Sequence, residues 1–182
     1  SLNLGIIVLP GTSVDIPLDI SITGENSEVH LSGIFVLDGE DRVSLPVTLR
    51  HEVPGCKSDQ LFNCIASGNS TFDFFGKIIV ARDSQKTESY QTNHNILLSE
   101  GARVNTKPQL EIYADDVLCS HGATIGRLNE DEQFYMRSRG IPEKEAKVLQ
   151  MLSFVSPVLS GISEGEETDA LAAGIEKAIR SL

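Results

Sequence analysis

Chemistry in this chain concentrates in one short stretch, Asp115-Asp116-Val117-Leu118-Cys119-Ser120-His121-Gly122. In a β-strand successive side chains alternate between faces, so Cys119 and His121 lie on the same side and can approach one metal ion or one proton together. A soft thiolate beside a borderline imidazole suits iron, zinc or copper. The same two residues also fit a blander reading, a core cysteine and a hydrogen-bonded histidine beside a turn glycine, because two ligands do not complete a site. His94, one or two structural repeats earlier, is a possible neighbour. His30 and His51 have no acid or thiol at ligand spacing and read as surface or hydrogen-bonded residues. Cys56 and Cys64 bracket an expected turn and read as structural thiols.

Other signatures are missing. Gly76-Lys77 is followed by Ile78 and lacks the earlier glycine of a phosphate-binding loop, and neither GxGxxG, HExxH nor GxSxG occurs. No nucleotide site and no self-contained nucleophile and base are therefore expected. The three cysteines cannot all pair within one chain, and none stands in a CxxC spacing, which favours a reduced, cytoplasmic protein. Ser1 is preceded by no initiator methionine and followed by no signal-like segment, so we expect a piece of a longer protein.

The elements that must position Cys119 and His121 follow from patterning. The 182 residues carry a formal net charge of -11, which disfavours a sequence-independent grip on nucleic acid or an anionic membrane. No apolar run is long enough for a membrane span. From Leu2 to about Ile125 the chain consists of short apolar, often β-branched runs punctuated by Gly, Asn, Ser and Asp. These predict about ten strands, with Ile16 to Ile22, Phe72 to Phe75 and Ile78 to Ala81 among them. Their spacing suits a solenoid whose coils each supply two or three strands. A β-sandwich is the alternative, disfavoured by the scarcity of two-residue hairpin turns beyond Asp38-Gly39.

After Gly126 the pattern becomes helical. Asn129, with acids at Glu130, Asp131 and Glu132, predicts an N-cap; Arg139-Gly140 predicts the end of that helix. A second helix should start at Pro142 and be kinked or stopped by Pro157. An acidic linker is expected over 160–167, then a third helix from Ala170 to Leu182. The division is thus a β core over 1–126 and a helical domain over 127–182. Packed on the end of the solenoid, the helices would cover an otherwise aggregation-prone edge.

Several blocks resemble one family. Asn95-Ile96-Leu97-Leu98-Ser99, the stretch from Asn105 to Val117, Cys119-Ser120-His121-Gly122-Ala123-Thr124-Ile125-Gly126, and the stretch from Gln133 to Ile141 are similar in order and spacing to the SufB/SufD family of iron–sulfur cluster assembly proteins. The likeness is dense from Gln91 to Pro157 and loose over residues 1 to 90. It implies a right-handed parallel β-helix followed by a small helical domain. It also implies a non-enzymatic scaffold subunit that pairs with SufB and binds the ATPase SufC through the helical region. By the same likeness His121 faces the SufB partner and helps to acquire iron or to ligate a transient iron–sulfur cluster shared with it. A neutral imidazole nitrogen can do this because it retains a lone pair.

Two departures favour the D-type subunit. SufB-type chains carry a cysteine before the Leu-Leu-Ser strand, where this chain has Asn93, and read His-Glu-Ala-Thr where this chain has His121-Gly122-Ala123-Thr124. Gln133, Tyr135, Arg137, Arg139 and Gly140 are expected near the SufC contact. The alternatives are a SufB-type subunit and a self-contained metal protein or enzyme using Cys119, His121 and Asp116. A carbohydrate-processing β-helix fits poorly with 5% aromatic residues and no Trp. Exposed coil ends also predict a homodimer of the isolated chain.

Overall fold

A computed structural model describes the backbone of residues 1–161 and 166–182, and the side chains of 1–161 and 169–182. Among these residues ten strands stack into two sheets. One sheet runs β1 (Leu2–Val8), β4 (Glu28–Leu37), β6 (Lys57–Ala66), β8 (Thr87–Leu97) and β10 (Val117–Gly126). The other contains β2 (Val14–Asp15) and β3 (Leu18–Ile22), both paired to β5 (Arg42–His51), then β7 (Thr71–Val80) and β9 (Arg103–Ile112). Each coil gives one strand to each sheet, apart from the split first coil and the last, which supplies β10 alone, and every described pairing is parallel. A hairpin-built sandwich is thereby excluded, and the β-solenoid stands.

Two expected strand assignments are corrected. Phe72–Phe75 and Ile78–Val80 belong to the single strand β7, which Gly76 does not interrupt and which stops just before Ala81, while Ile16–Ile22 begins only at Leu18, with Val14–Asp15 a separate short strand. The polar stretch 87–95, which contains no apolar run, is nonetheless strand: it continues ladders begun two and three coils earlier. Nor do Cys56 and Cys64 flank a turn, because β6 runs between them.

Register makes the stack. Residues one coil apart, such as Ser58 and Ser89 with a separation of 31, occupy equivalent places and form columns of like-facing side chains. Val29, Leu31, Phe35 and Leu37 of β4 face Val43, Leu45, Val47 and Leu49 of β5 across the interior. Phe62 packs against Phe35 and Phe74, and Phe35 against Phe72 with ring centroids 4.7 Å apart. At one corner Gly39 and Gly68 take positive φ of 59° and 61°, and a Cβ on Gly68 would strike the Gly39 backbone. Side chains are therefore barred where the turns of successive coils stack closely.

The helices are α1 (Glu130–Ser138), α2 (Glu143–Leu159) and α3 (Glu166–Ser181). Asn129 caps α1 by accepting the backbone N–H groups of Asp131 and Glu132. The helix ends in a Schellman turn: Gly140 takes φ +90°, its N–H donates to Arg137, and the Ile141 N–H donates to Met136. Pro157 lies inside α2, which stops two residues later at Leu159. Helix α3 begins four residues before the expected Ala170; of the expected linker, 162–165 lie outside the described residues.

The helices do not sit on the end of the solenoid. Ile34, Val36 and Ile65 point outward from β4 and β6 and form an apolar face on which Val148, Met151, Val155 and Val158 of α2 and Ile175 and Ile179 of α3 pack. Asn63 adds a polar stitch, its side-chain amide donating to the Phe154 carbonyl at 2.7 Å. Burying that face outweighs covering an edge, because an edge left in water keeps its backbone groups hydrated whereas an exposed apolar face does not. The last coil is left open.

Candidate functional site at the open coil end

Strand β10 pairs with β8 on one side only, and β9 is the final strand of the facing sheet. After Gly126 the chain turns into α1 instead of supplying a further facing strand. Side chains on the inner face of β10 consequently have no strand opposite them at their own level.

Cys119 and His121 both stand on that inner face, as the period-two argument requires. Cys119 is half-buried against the cluster of Ile78, Val80 and Ala114. Burial raises its thiol above the ordinary range, opposed in part by a hydrogen bond with the Ser89 backbone. Two residues on, His121 is exposed. Asp116 is also exposed and lies at the β10 entrance, where its backbone N–H donates to the Gln85 side chain. Among the described residues no group of three or more His, Cys, Asp or Glu side chains is arranged to hold a metal. Cys119 and His121 are thus an open pair facing outward from the coil end.

The other candidates separate from this pair. His94 is on the opposite face of the same sheet, its Nδ1 hydrogen-bonded to Thr124 Oγ1 at 2.8 Å. His51 is fully buried against Ser58, and desolvation lowers its imidazole from 6.5 to about 4. His30 is exposed far from β10, paired in register with Asp59. Cys56 and Cys64 are buried free thiols, and burial pushes Cys64 strongly upward, which leaves it a protonated core residue.

Below the open pair the solenoid interior is polar, a feature invisible to apolar periodicity. Reading up the inner columns, Val29 gives way to Ser58, Ser89 and then Cys119; Leu31 gives way to Gln60, Gln91 and then His121. Ser58 and Ser89 are hydrogen-bonded at 2.6 Å, and the Gln91 amide donates to Gln60 Oε1 at 3.0 Å. Asn93 is fully buried and donates to the Phe62 carbonyl; Asn95 donates to Asn93 Oδ1 and to the Thr124 carbonyl. The repeat of roughly 30 residues that brings Gln60 below Gln91 and His121 was the only sequence signal for this ladder.

Gln133, Tyr135, Arg137, Arg139 and Gly140 are gathered on α1 and its terminal turn. Tyr135 is exposed, and the Arg139 guanidinium lies 5.5 Å from its ring centroid. Arg137 approaches Glu143 at 3.9 Å. Helix α1 buries no residue, and Phe134, passed over in the sequence, is 73% exposed. Between α1, the Leu97-Leu98 end of β8 and the first turns of α2 runs an open groove of about 1110 Å³, lined in part by Gln133, Phe134, Arg137 and Lys147. The open coil end and α1 are two separate surfaces presenting side chains outward.

No described helix is long and apolar enough to cross a membrane. The family model for the SufBD core domain of the SUF iron–sulfur cluster assembly system matches residues 3–154. The iron–sulfur cluster assembly protein SufD of Escherichia coli (strain K12) is 38% identical over 152 residues, covering 83% of this chain and 36% of that protein. A SufBD family protein of Synechocystis, slr0076, is 38% identical over 138 residues, 76% of this chain and 30% of its own length. Protein ABCI7, chloroplastic, of Arabidopsis thaliana is 36% identical over 149 residues, 80% of this chain and 31% of its own. The chain therefore spans about a third of the length of these curated relatives. A parallel solenoid with three following helices, matched along most of its length by that model, belongs to the SufBD family of iron–sulfur cluster assembly proteins.

Proposed function

We propose that the chain is part of a D-type scaffold subunit that pairs with SufB at the open coil end and binds the ATPase SufC through α1. It performs no reaction of its own. The observation that carries this reading is the exposed His121 on the inner face of a strand with no partner on its far side. An unpaired strand edge is a template for another polypeptide, and β10 and β9 both offer one, each of 10 residues.

In this reading His121 supplies a neutral nitrogen to iron, or to a transient iron–sulfur cluster, that is the cargo of the assembly and is shared with SufB. Two inner-face donors cannot enclose iron alone, so remaining ligands come across the interface. Asn93 in place of a cysteine is consistent with the acceptor thiol residing on SufB. Helix α1 offers SufC a different surface, with the Tyr135–Arg139 pair and Arg137 exposed along it. ATP is bound by SufC; this chain carries no phosphate-binding loop.

The test is co-purification of the full-length subunit with SufB and SufC. His121→Ala should leave the complex assembled and lower its iron content, whereas Tyr135→Ala with Arg137→Glu should release SufC and keep SufB. Failure of the wild-type protein to recruit either partner overturns the reading. The same open edges favour a homodimer of the isolated chain, imitating the SufB contact; light scattering that shows only monomer at high concentration removes that second reading.

A further inference from the structure

The Gln60–Gln91 ladder ends in an unpaid polar atom. Gln91 is 1% exposed, its Nε2 donates down the stack to Gln60 Oε1, and its Oε1 has no hydrogen-bond partner. A buried amide oxygen without a donor has lost its hydration and gained nothing in return. Because the amide nitrogen points to the coil below, the oxygen on the other side of the planar group is turned towards the coil above. The facing strand makes room for this: a Cβ on Gly76 would collide with both amide atoms, so glycine there lets the Gln91 side chain extend across the interior. The residue stacked on Gln91 in register is His121. Its ring makes no hydrogen bond among the described residues.

We propose that Gln91 is a positioning residue for His121: when the exposed imidazole rotates down onto Gln91, away from the arrangement in which neither group has a partner, Gln91 Oε1 accepts the His121 Nε2–H, which fixes the ring tautomer and leaves Nδ1 with the free lone pair. The choice of nitrogen follows from reach. Oε1 of glutamine and Nε2 of histidine lie the same number of bonds from their Cβ atoms, so in neighbouring in-register strands they stand at equal depth in the interior. Histidine ligands are commonly held by a second hydrogen bond of this kind, which orients the ring and raises its basicity. The proposal rests on the reading of His121 as a metal ligand, but the hydrogen bond itself requires neither iron nor a partner.

The experiment is nitrogen-15 NMR of the histidine rings in the 182-residue chain, at a pH where the His121 ring is neutral, with the resonance assigned by His121→Ala. The expected result is a His121 Nε2–H that is protected from solvent exchange. Gln91→Leu should abolish that protection. Gln91→Glu should retain it, because a carboxylate still accepts from His121 and Gln60 can rotate its own unpartnered amide nitrogen to donate to it. A ring N–H that exchanges freely in the wild type, or an Nδ1–H tautomer, overturns the proposal, as does protection that survives Gln91→Leu. If the protected N–H is found but His121→Ala leaves iron content unchanged in the full complex, the hydrogen bond stands and the metal-ligand reading fails.

Discussion

The middle coils and the last coil are built on one backbone plan and filled with opposite materials. In β4 to β7 the interior is dominated by Leu31, Phe35, Phe62, Phe72 and Phe74, none more than 2% exposed, with rings in contact, and polar groups enter only at His51, Ser58 and Gln60. In β8 and β10 the same columns hold Ser89, Gln91, Asn93 and Asn95, then Cys119 and His121. A parallel ladder supplies the same backbone hydrogen bonds in both places, so the ladder can continue where apolar packing stops. Stability is thus concentrated in the middle of the solenoid and chemistry at its rim.

The largest effect that would sharpen this contrast is Phe62→Ala. It should cost about 3–5 kcal/mol in urea denaturation followed by circular dichroism, since it opens a cavity between Phe35 and Phe74; a loss below about 1 kcal/mol would erase the contrast. Next comes the pH dependence of His51, whose folded value of about 4 lies below the ordinary 6.5. The unfolded chain takes up the proton first, so stabilisation by the neutral ring is complete above about pH 6.5 and is lost as pH falls towards 4. The total is on the order of 3 kcal/mol. His51→Gln should flatten that slope in urea midpoints measured across the window, and an unchanged slope would assign the effect elsewhere.

Gly140→Ala should cost about 1 kcal/mol, because φ +90° suits only glycine in the turn that ends α1. The loss should appear as reduced helicity without any change in the β signal. Leu118→Ala should alter stability by less than about 0.5 kcal/mol, as expected of a β10 side chain that is 62% exposed. A large loss there would mean that the rim, too, is part of the core.

What could be read from the sequence divides along the same line. The β-rich segment, the switch after Gly126, the Asn129 cap and the Gly140 stop were legible because each rests on local apolar patterning or local backbone chemistry. Most of strand β8 was not: only its Ile96-Leu97 end carries an apolar run, and Thr87 to Asn95 earns its place through ladders to β6 and β10. The docking of α2 on Ile34, Val36 and Ile65 was also hidden: on a strand buried on both faces the alternation disappears, and nothing local says which face meets a helix. For the site, pattern alone placed Cys119 and His121 on one face. Gln91 beneath them emerged only from register.

Among the described residues, α2 and α3 pack on β4 and β6 and not on β10. In a stack where each layer touches only the next, fraying starts at the unbraced layer and spreads inwards. Amide deuteration should therefore run fastest along Val117–Gly126 and slow stepwise towards Phe35. The rim can rearrange around an incoming guest while the bulk of the molecule keeps its shape.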